Sequence, residues 1–181
     1  MGQPAKPDPV KLFISALSSS AEALEEAKGR LVAKLGSVDV ESAVLPWERG
    51  DYYAEEMGPS LLRRLWAFEK LIDPAELAAT KLGTNALEAA VAKARRGKGV
   101  ERPVNLDPGY IHLARVVLAS TKDYTYRVLL RDGIYAEILL TWKAGGFAPN
   151  RWAGPEWAER PVIDFFDEAR KRYTQQVVRQ A

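Results

Sequence analysis

Residues 10–36 read VKLFISALS-SS-AEALEEAKGRLVAKLG, a short apolar run followed at once by an amphipathic one. Residues 10–18 are a short apolar run with β-branched and aromatic content, too few for a buried helix, so they form a buried strand. Ser19 with Glu22 three residues on fits a capping box. Leu24, Ala27, Leu31 and Leu35 then share one helical face, and Gly36 is placed as the stop. Downstream, Val38, Val40, Ser42 and Val44 alternate with Asp39, Glu41 and Ala43, a half-exposed strand ending at Pro46. Residues 61–72 satisfy a helical spacing (Leu61, Leu65, Phe68) as well as an alternation with Trp66 and Phe68, and are taken as a strand. Asp73 and Pro74 open a second helix whose stripe is Leu77, Thr84, Leu87 and Val91, with Lys81 and Glu88 at its edge and Asn85 further round. The run RRGKGVER (95–102) breaks it. Residues 103–106 are strand-like, Asp107-Pro108-Gly109 reads as a turn, and the apolar residues 110–120 fit helix or strand. Strand–helix–strand–strand–helix–strand is the ferredoxin-like order, an α+β fold with helices packed on an antiparallel sheet.

A hairpin and a helix complete the pattern. Tyr124, Tyr126, Val128 and Leu130 alternate with polar residues, as do Ile134, Ala136, Ile138, Leu140 and Trp142, around Asp132-Gly133. A three-residue loop, Arg131–Gly133 with Gly133 left-handed, puts both apolar sets on one face for burial. That register sets Arg127 across from Glu137 on the other face, as an ion pair. After a Gly/Pro/Trp-rich loop (144–159), Val162, Phe165, Phe166, Ala169, Tyr173 and Val177 mark a final helix that docks on the sheet. The expected organisation is a loose arm over residues 1–9, with its three prolines, and one domain over residues 10–181.

Composition narrows the chemistry. The 181 residues carry 26 Lys+Arg against 24 Asp+Glu, one His and no Cys. Zero Cys removes disulfides, thiolate metal sites and thiol nucleophiles, and the single His112 excludes multi-histidine metal sites. A formal net charge of +2 gives no general field for nucleic acid or an anionic membrane, so a nucleic-acid partner is not indicated. No export signal or apolar span is apparent, so no membrane partner and a cytoplasmic location are expected. A Walker A loop is absent: Gly97-Lys98 has Ala92 where the first Gly belongs and Gly99 where the hydroxyl belongs. Thr121-Lys122-Asp123 resembles a guanine-reading N-K-x-D element, but its Asp comes one residue early.

Four stretches, taken together, identify the chain as resembling a family. They are Asp51 to Gly58 (DYYAEEMG), Lys81 to Glu88 (KLGTNALE), Asn105 to Tyr110 (NLDPGY), and Thr121-Lys122-Asp123 running on through Asp132-Gly133-Ile134-Tyr135-Ala136-Glu137. In this order and at these separations the chain is similar, from about residue 11 to residue 173, to the domain of unknown function family 4416. The resemblance implies a soluble prokaryotic protein of this size, and some members carry a GTP-binding label. The family usually has Ser-His before the hairpin Arg, where this chain has Thr125-Tyr126. A Trp-Thr-Tyr-Pro-Asp-Tyr-like run stands here as WAGPEW (152–157).

Each stretch places polar groups beside Gly, Pro or Tyr at the ends of elements, where sites are built. Asp51, Glu55, Asp107 and Glu137 are the candidate catalytic acids. Tyr52, Lys81, Asn85, Asn105, Tyr110, Lys122 and Arg127 are the candidate ligand-binding residues. Hard oxygen ligands beside Lys and Arg suit Mg²⁺ and phosphates, so Mg²⁺ is a candidate cofactor, with Asp51, Glu55 and Asp107 as its ligands. The partner expected is a nucleotide or other phosphate ligand, with phosphoryl or nucleotidyl transfer as the reaction class. The alternative is a non-enzymatic protein- or RNA-binding module using the Trp152–Trp157 loop and the basic loop at 95–102. A plainer reading of the same residues makes Arg127–Glu137 a structural pair and the basic loop a solvated one.

Overall fold

β1 (Val10–Ser18) and α1 (Ala21–Leu35) form where the sequence places them. The cap is Ser20 and not Ser19: its hydroxyl accepts from the Ala23 N–H at 3.2 Å and donates to Glu22. The computed structural model describes residues 2–48, 53–97 and 99–178. Within them follow β2 (Val38–Glu41), β3 (Leu45–Trp47), the short α2 (Ala54–Met57), β4 (Leu61–Ile72) and α3 (Leu77–Ala94). Then come β5 (Asn105–His112), β6 (Arg115–Ser120), β7 (Val128–Arg131), β8 (Ile134–Lys143), β9 (Gly146–Pro149) and α4 (Arg160–Val178). Residues 2–9 are exposed and carry neither helix nor strand.

The strands make one antiparallel sheet in the order β2-β4-β1-β5-β6-β8-β7, with β3 on β4 and β9 on β8. Its first four strands and α1 and α3 have the ferredoxin-like arrangement. Leu12, Ile14, Ala16, Trp66, Phe68 and Leu106 pack against α1 and α3 on one face. Phe13, Leu65, Ala67, Ile111, Val116 and Leu118 pack against Val162, Phe165, Phe166 and Ala169 of α4 on the other. β1, in the middle, is buried along its whole length.

The middle of the chain settles one open reading and corrects another. Residues 110–120 are strand on either side of a turn at 113–114, in β5 and β6. Asp107-Pro108-Gly109 is not a turn but the interior of β5, paired along β1 with Ser15, Ile14 and Phe13. Gly109 is there because nothing larger fits: a Cβ would lie 2.3 Å from the Val117 carbonyl oxygen and 2.4 Å from the Phe13 ring. Pro108 acts on the opposite edge of β5. Leu106 points its N–H and C=O away from β1, to α3, and by strand periodicity an N–H at 108 would point the same way, toward β6. Proline has none, and the β5–β6 ladder ends at Gly109↔Leu118. Beyond that point the two strands separate.

The hairpin is a further correction. Its turn has two residues, Asp132 and Gly133, with φ of 53° and 73°, as a type I′ turn requires. An irregularity at Leu130 supplies the third residue, so Val128 lies opposite Ala136, and Arg127 meets Glu137 as expected. The expected burial, however, holds only in part, at Ile134 and Leu140. Glu137 is buried, aligned with Leu118, while Val128 and Ile138 are exposed. The reason is that α3 reaches only the near end of this face, where Leu77 and Ala78 cover Val117, Ala119 and Ile134.

Gly109→Ala is expected to cost about 3 kcal/mol, through forced displacement of Phe13 and the β6 backbone. Gly29→Ala, in α1 with open space around it, should be stabilising by roughly 0.5–1 kcal/mol. Urea denaturation of the two variants checks the contrast.

Candidate functional site

The separation of β5 from β6 opens a cleft of about 680 Å³, within the usual range of small-molecule sites. It is lined by Lys81, Asn85 and Glu88 of α3, Asn105 and Asp107 of β5, and Ser120, Lys122, Arg127 and Glu137 on the far side. α3 lies on the opposite face of the sheet, and its polar side chains reach the cleft because β6 has moved away from β5. They also take over the hydrogen bonding that β6 would have supplied. Lys81 Nζ donates to the Leu106 carbonyl at 2.9 Å, Thr84 Oγ1 donates to the same carbonyl at 3.1 Å, and the Leu106 N–H donates to Glu88 at 2.8 Å. Three side chains of one helix thus complete the backbone of one strand residue.

The α3 wall is an ion-paired chain. Lys81 Nζ lies 2.7 Å from Asp107 Oδ1, and Asn105 donates to Asp107 Oδ2 at 2.7 Å. Arg102 reaches Glu88 and Glu56, each at 3.2 Å, and also donates to Asn105. Burial alone would raise the Asp107 carboxyl, but Lys81, Asn105 and Arg102 together hold it below its ordinary value. Glu88 goes the other way: its burial outweighs Lys81 and Arg102 and raises it. These are the opposed effects of desolvation and charge.

The opposite wall is built around Arg127. Its Nη2 lies 2.7 Å from Glu137 Oε1, and its Nη1 donates to Ser120 Oγ at 2.7 Å and to the Lys122 carbonyl at 3.1 Å. Burial raises the Glu137 carboxyl despite Arg127. Aromatic rings continue this wall. Arg127 stands over Tyr124 at 4.5 Å, and Tyr126 stacks on Trp152 with ring centroids 5.6 Å apart and planes 8° from parallel. Tyr53 also faces the cleft, with the Lys122 ammonium 5.7 Å from its ring centroid.

Of the residues singled out in the sequence, Lys81, Asn85, Asn105, Asp107, Lys122, Arg127 and Glu137 line this one cleft. Tyr110 does not: three residues from Asp107 on a strand of period two, it faces the other side and lines a second groove. Glu55 does not either. It is exposed on α2, two helical positions and therefore about 200° from the buried Met57. Asp51 and Tyr52 lie outside the described residues. Of the candidate Mg²⁺ ligands that are described, Asp107 lines the cleft and Glu55 does not. Among the described residues no three acidic or histidine side chains stand close enough together to hold a metal ion.

Three participants escaped the sequence. Arg102 was read as part of a solvated loop, yet it joins Glu88 to Asn105. Glu88 was placed only at a helix rim. Arg63 gave no signal at all, because in an alternating strand its position reads as solvent-facing. It is wholly buried, with its guanidinium carbon 4.0 Å from the Trp157 ring centroid and 5.4 Å from that of Trp47. Its Nη1 donates to the Glu156 carbonyl at 3.2 Å, while Nη2 finds no hydrogen-bond partner among the described residues. Burial pulls its pKa down to about 10, against the pull of Glu156, Glu159 and Asp107, so it stays charged at neutral pH.

Fold and cleft together define an α+β protein with a polar, aromatic-walled cleft at a break in its sheet. The family described as domain of unknown function DUF4416 matches residues 8–173, and the chain belongs to that family. Comparison with the curated proteins and with the solved structures returns no match. No helix among the described residues is long and apolar enough to cross a membrane.

Asp107→Asn should lower stability near neutral pH. Because the folded-state pKa of Asp107 lies below its unfolded value, its contribution is complete above ~4 and is lost as pH falls through the folded value. The gap between wild type and variant, followed by thermal unfolding from neutral pH downward, should therefore narrow below ~4. A gap independent of pH would show that Asp107 acts through shape alone.

Proposed function

We propose that the cleft binds a phosphate-bearing small molecule, with a nucleotide as the class that fits its walls best. What carries this is one juxtaposition: Lys81, Arg102, Lys122 and Arg127 converge on a single cleft that also presents Tyr53, Tyr124, Tyr126 and Trp152. Guanidinium and ammonium donors suit phosphate oxygens, and the rings suit the flat face of a base. The charged side chains lining the cleft are balanced, with four cations against Glu88, Asp107, Glu137 and Glu156. An incoming phosphate therefore competes with carboxylates for the same donors. Glu137 is the carboxylate placed to give way, since it holds Arg127, and its displacement would release Arg127 to the ligand. Asp107, held ionised by Lys81, keeps its place. The backbone of the cleft contains no phosphate loop of the Walker type, so side chains do the recognition. Phosphoryl or nucleotidyl transfer with Mg²⁺ is the reaction class these groups suit, the metal arriving with the ligand's phosphates.

Calorimetric titration with GTP, ATP and inorganic pyrophosphate, with and without Mg²⁺, tests the proposal. Lys81→Met and Arg127→Met should each weaken binding about tenfold. Glu137→Gln, which frees Arg127 at little change of shape, should tighten it. No binding of any of these compounds by wild type, or binding unaffected by all three substitutions, would overturn it.

A further inference from the structure

Beyond the reach of α3 the β7–β8 hairpin leaves apolar side chains uncovered, while Glu137 of β8 and Arg127 just before β7 face the cleft. Val128 is 70% exposed, Ile138 51% and Trp152 52%. With Tyr110, Val117 and Tyr126 they line a second depression of about 510 Å³ on the face that α3 leaves uncovered. A patch of this kind on a folded monomer marks an interaction surface. Its rim says what covers it. Arg115 and Arg151 border the depression, and neither side chain makes a hydrogen bond or ion pair among the described residues; that of Arg151 stands over Trp152, at 4.3 Å. The one acid in the lining, Glu137, is engaged by Arg127. An apolar floor with a rim of unpaired cations repels its own copy, because a two-fold interface would bring these arginines together.

We infer that this face docks a partner protein through an extended segment that alternates apolar and acidic side chains. Apolar groups would cover Val128, Ile138 and Trp152, and carboxylates would pair with Arg115 and Arg151. β7 supplies further donors and acceptors, since among the described residues its outer edge has no neighbouring strand and is open to strand addition. The surface does not depend on the nucleotide proposal, although Tyr126 and Trp152 border both depressions and would transmit docking to the cleft.

The test uses the isotope-labelled full chain and two synthetic peptides of about ten residues, one alternating Glu and Val, the other Lys and Val. The acidic peptide should shift the resonances of Val128, Ile138 and the Trp152 indole, and the basic one should not. The exposed double substitution Arg115→Glu/Arg151→Glu should weaken the acidic peptide about tenfold and admit the basic one. Val128→Glu should abolish the acidic peptide's effect with the remaining spectrum unchanged. Equal shifts from both peptides, or none at ~1 mM, would overturn the inference. So would a self-association, seen by sedimentation, that Val128→Glu abolishes, since the occupant would then be a second copy.

Discussion

The site exists because a strand loses its neighbour and a helix replaces it. Pro108 cannot extend the β5–β6 ladder, and the freed groups of Leu106 are satisfied by Lys81, Thr84 and Glu88 of α3. A buried backbone group left without a partner is costly, so the break in the sheet and the polar stripe on α3 require one another. Gly109 fixes where the break begins, because β6 and Phe13 crowd that residue too closely for any side chain. From this single constraint follow the width of the cleft, the access of α3 residues to it, and the position of Arg127 and Glu137 opposite.

The walls gain their character from how completely their charges are engaged. Lys81, Asp107, Asn105, Arg102 and Glu88 form one connected network, and Arg127, Glu137 and Ser120 another. Paired and partly buried groups of this sort hold fixed positions and add little net field. They present donors and acceptors at set places. The near-equality of acidic and basic residues in the whole chain is thus repeated at the scale of the cleft. Arg63, between Trp47 and Trp157, ties the loop bearing Glu156 to the floor formed by β1 and β4.

Much of the fold was legible because its signals are local. The β1–α1 unit, the strand at 61–72, Asp73 as a cap, the final helix and the pairing of Arg127 with Glu137 all follow from periodicity, capping chemistry or register. The errors are non-local. Asp107-Pro108-Gly109 has turn composition, and only the crowding of Phe13 and Val117 explains why it sits inside a strand. The outward face of β7 and β8 looked buried because alternation reports that two faces differ and not which one the remaining chain covers. Lys81, Asn85, Asn105, Asp107, Lys122 and Arg127 were recognisable as a set through their chemistry at element ends. Arg102 and Arg63 were not, since Arg102 depends on Glu88, 14 residues away, and Arg63 on the Glu156 carbonyl, 93 residues away.

The central claim is that the α3 wall and the Arg127 wall act on one ligand. Nitrogen-detected NMR of the lysine and arginine side chains during a pyrophosphate titration addresses it most directly. Lys81 on one wall and Arg127 on the other should shift together and saturate at a single dissociation constant, while the exposed Arg160 and Lys171 of α4 stay unchanged. Shifts spread over exposed cations, or confined to one wall, would contradict the account.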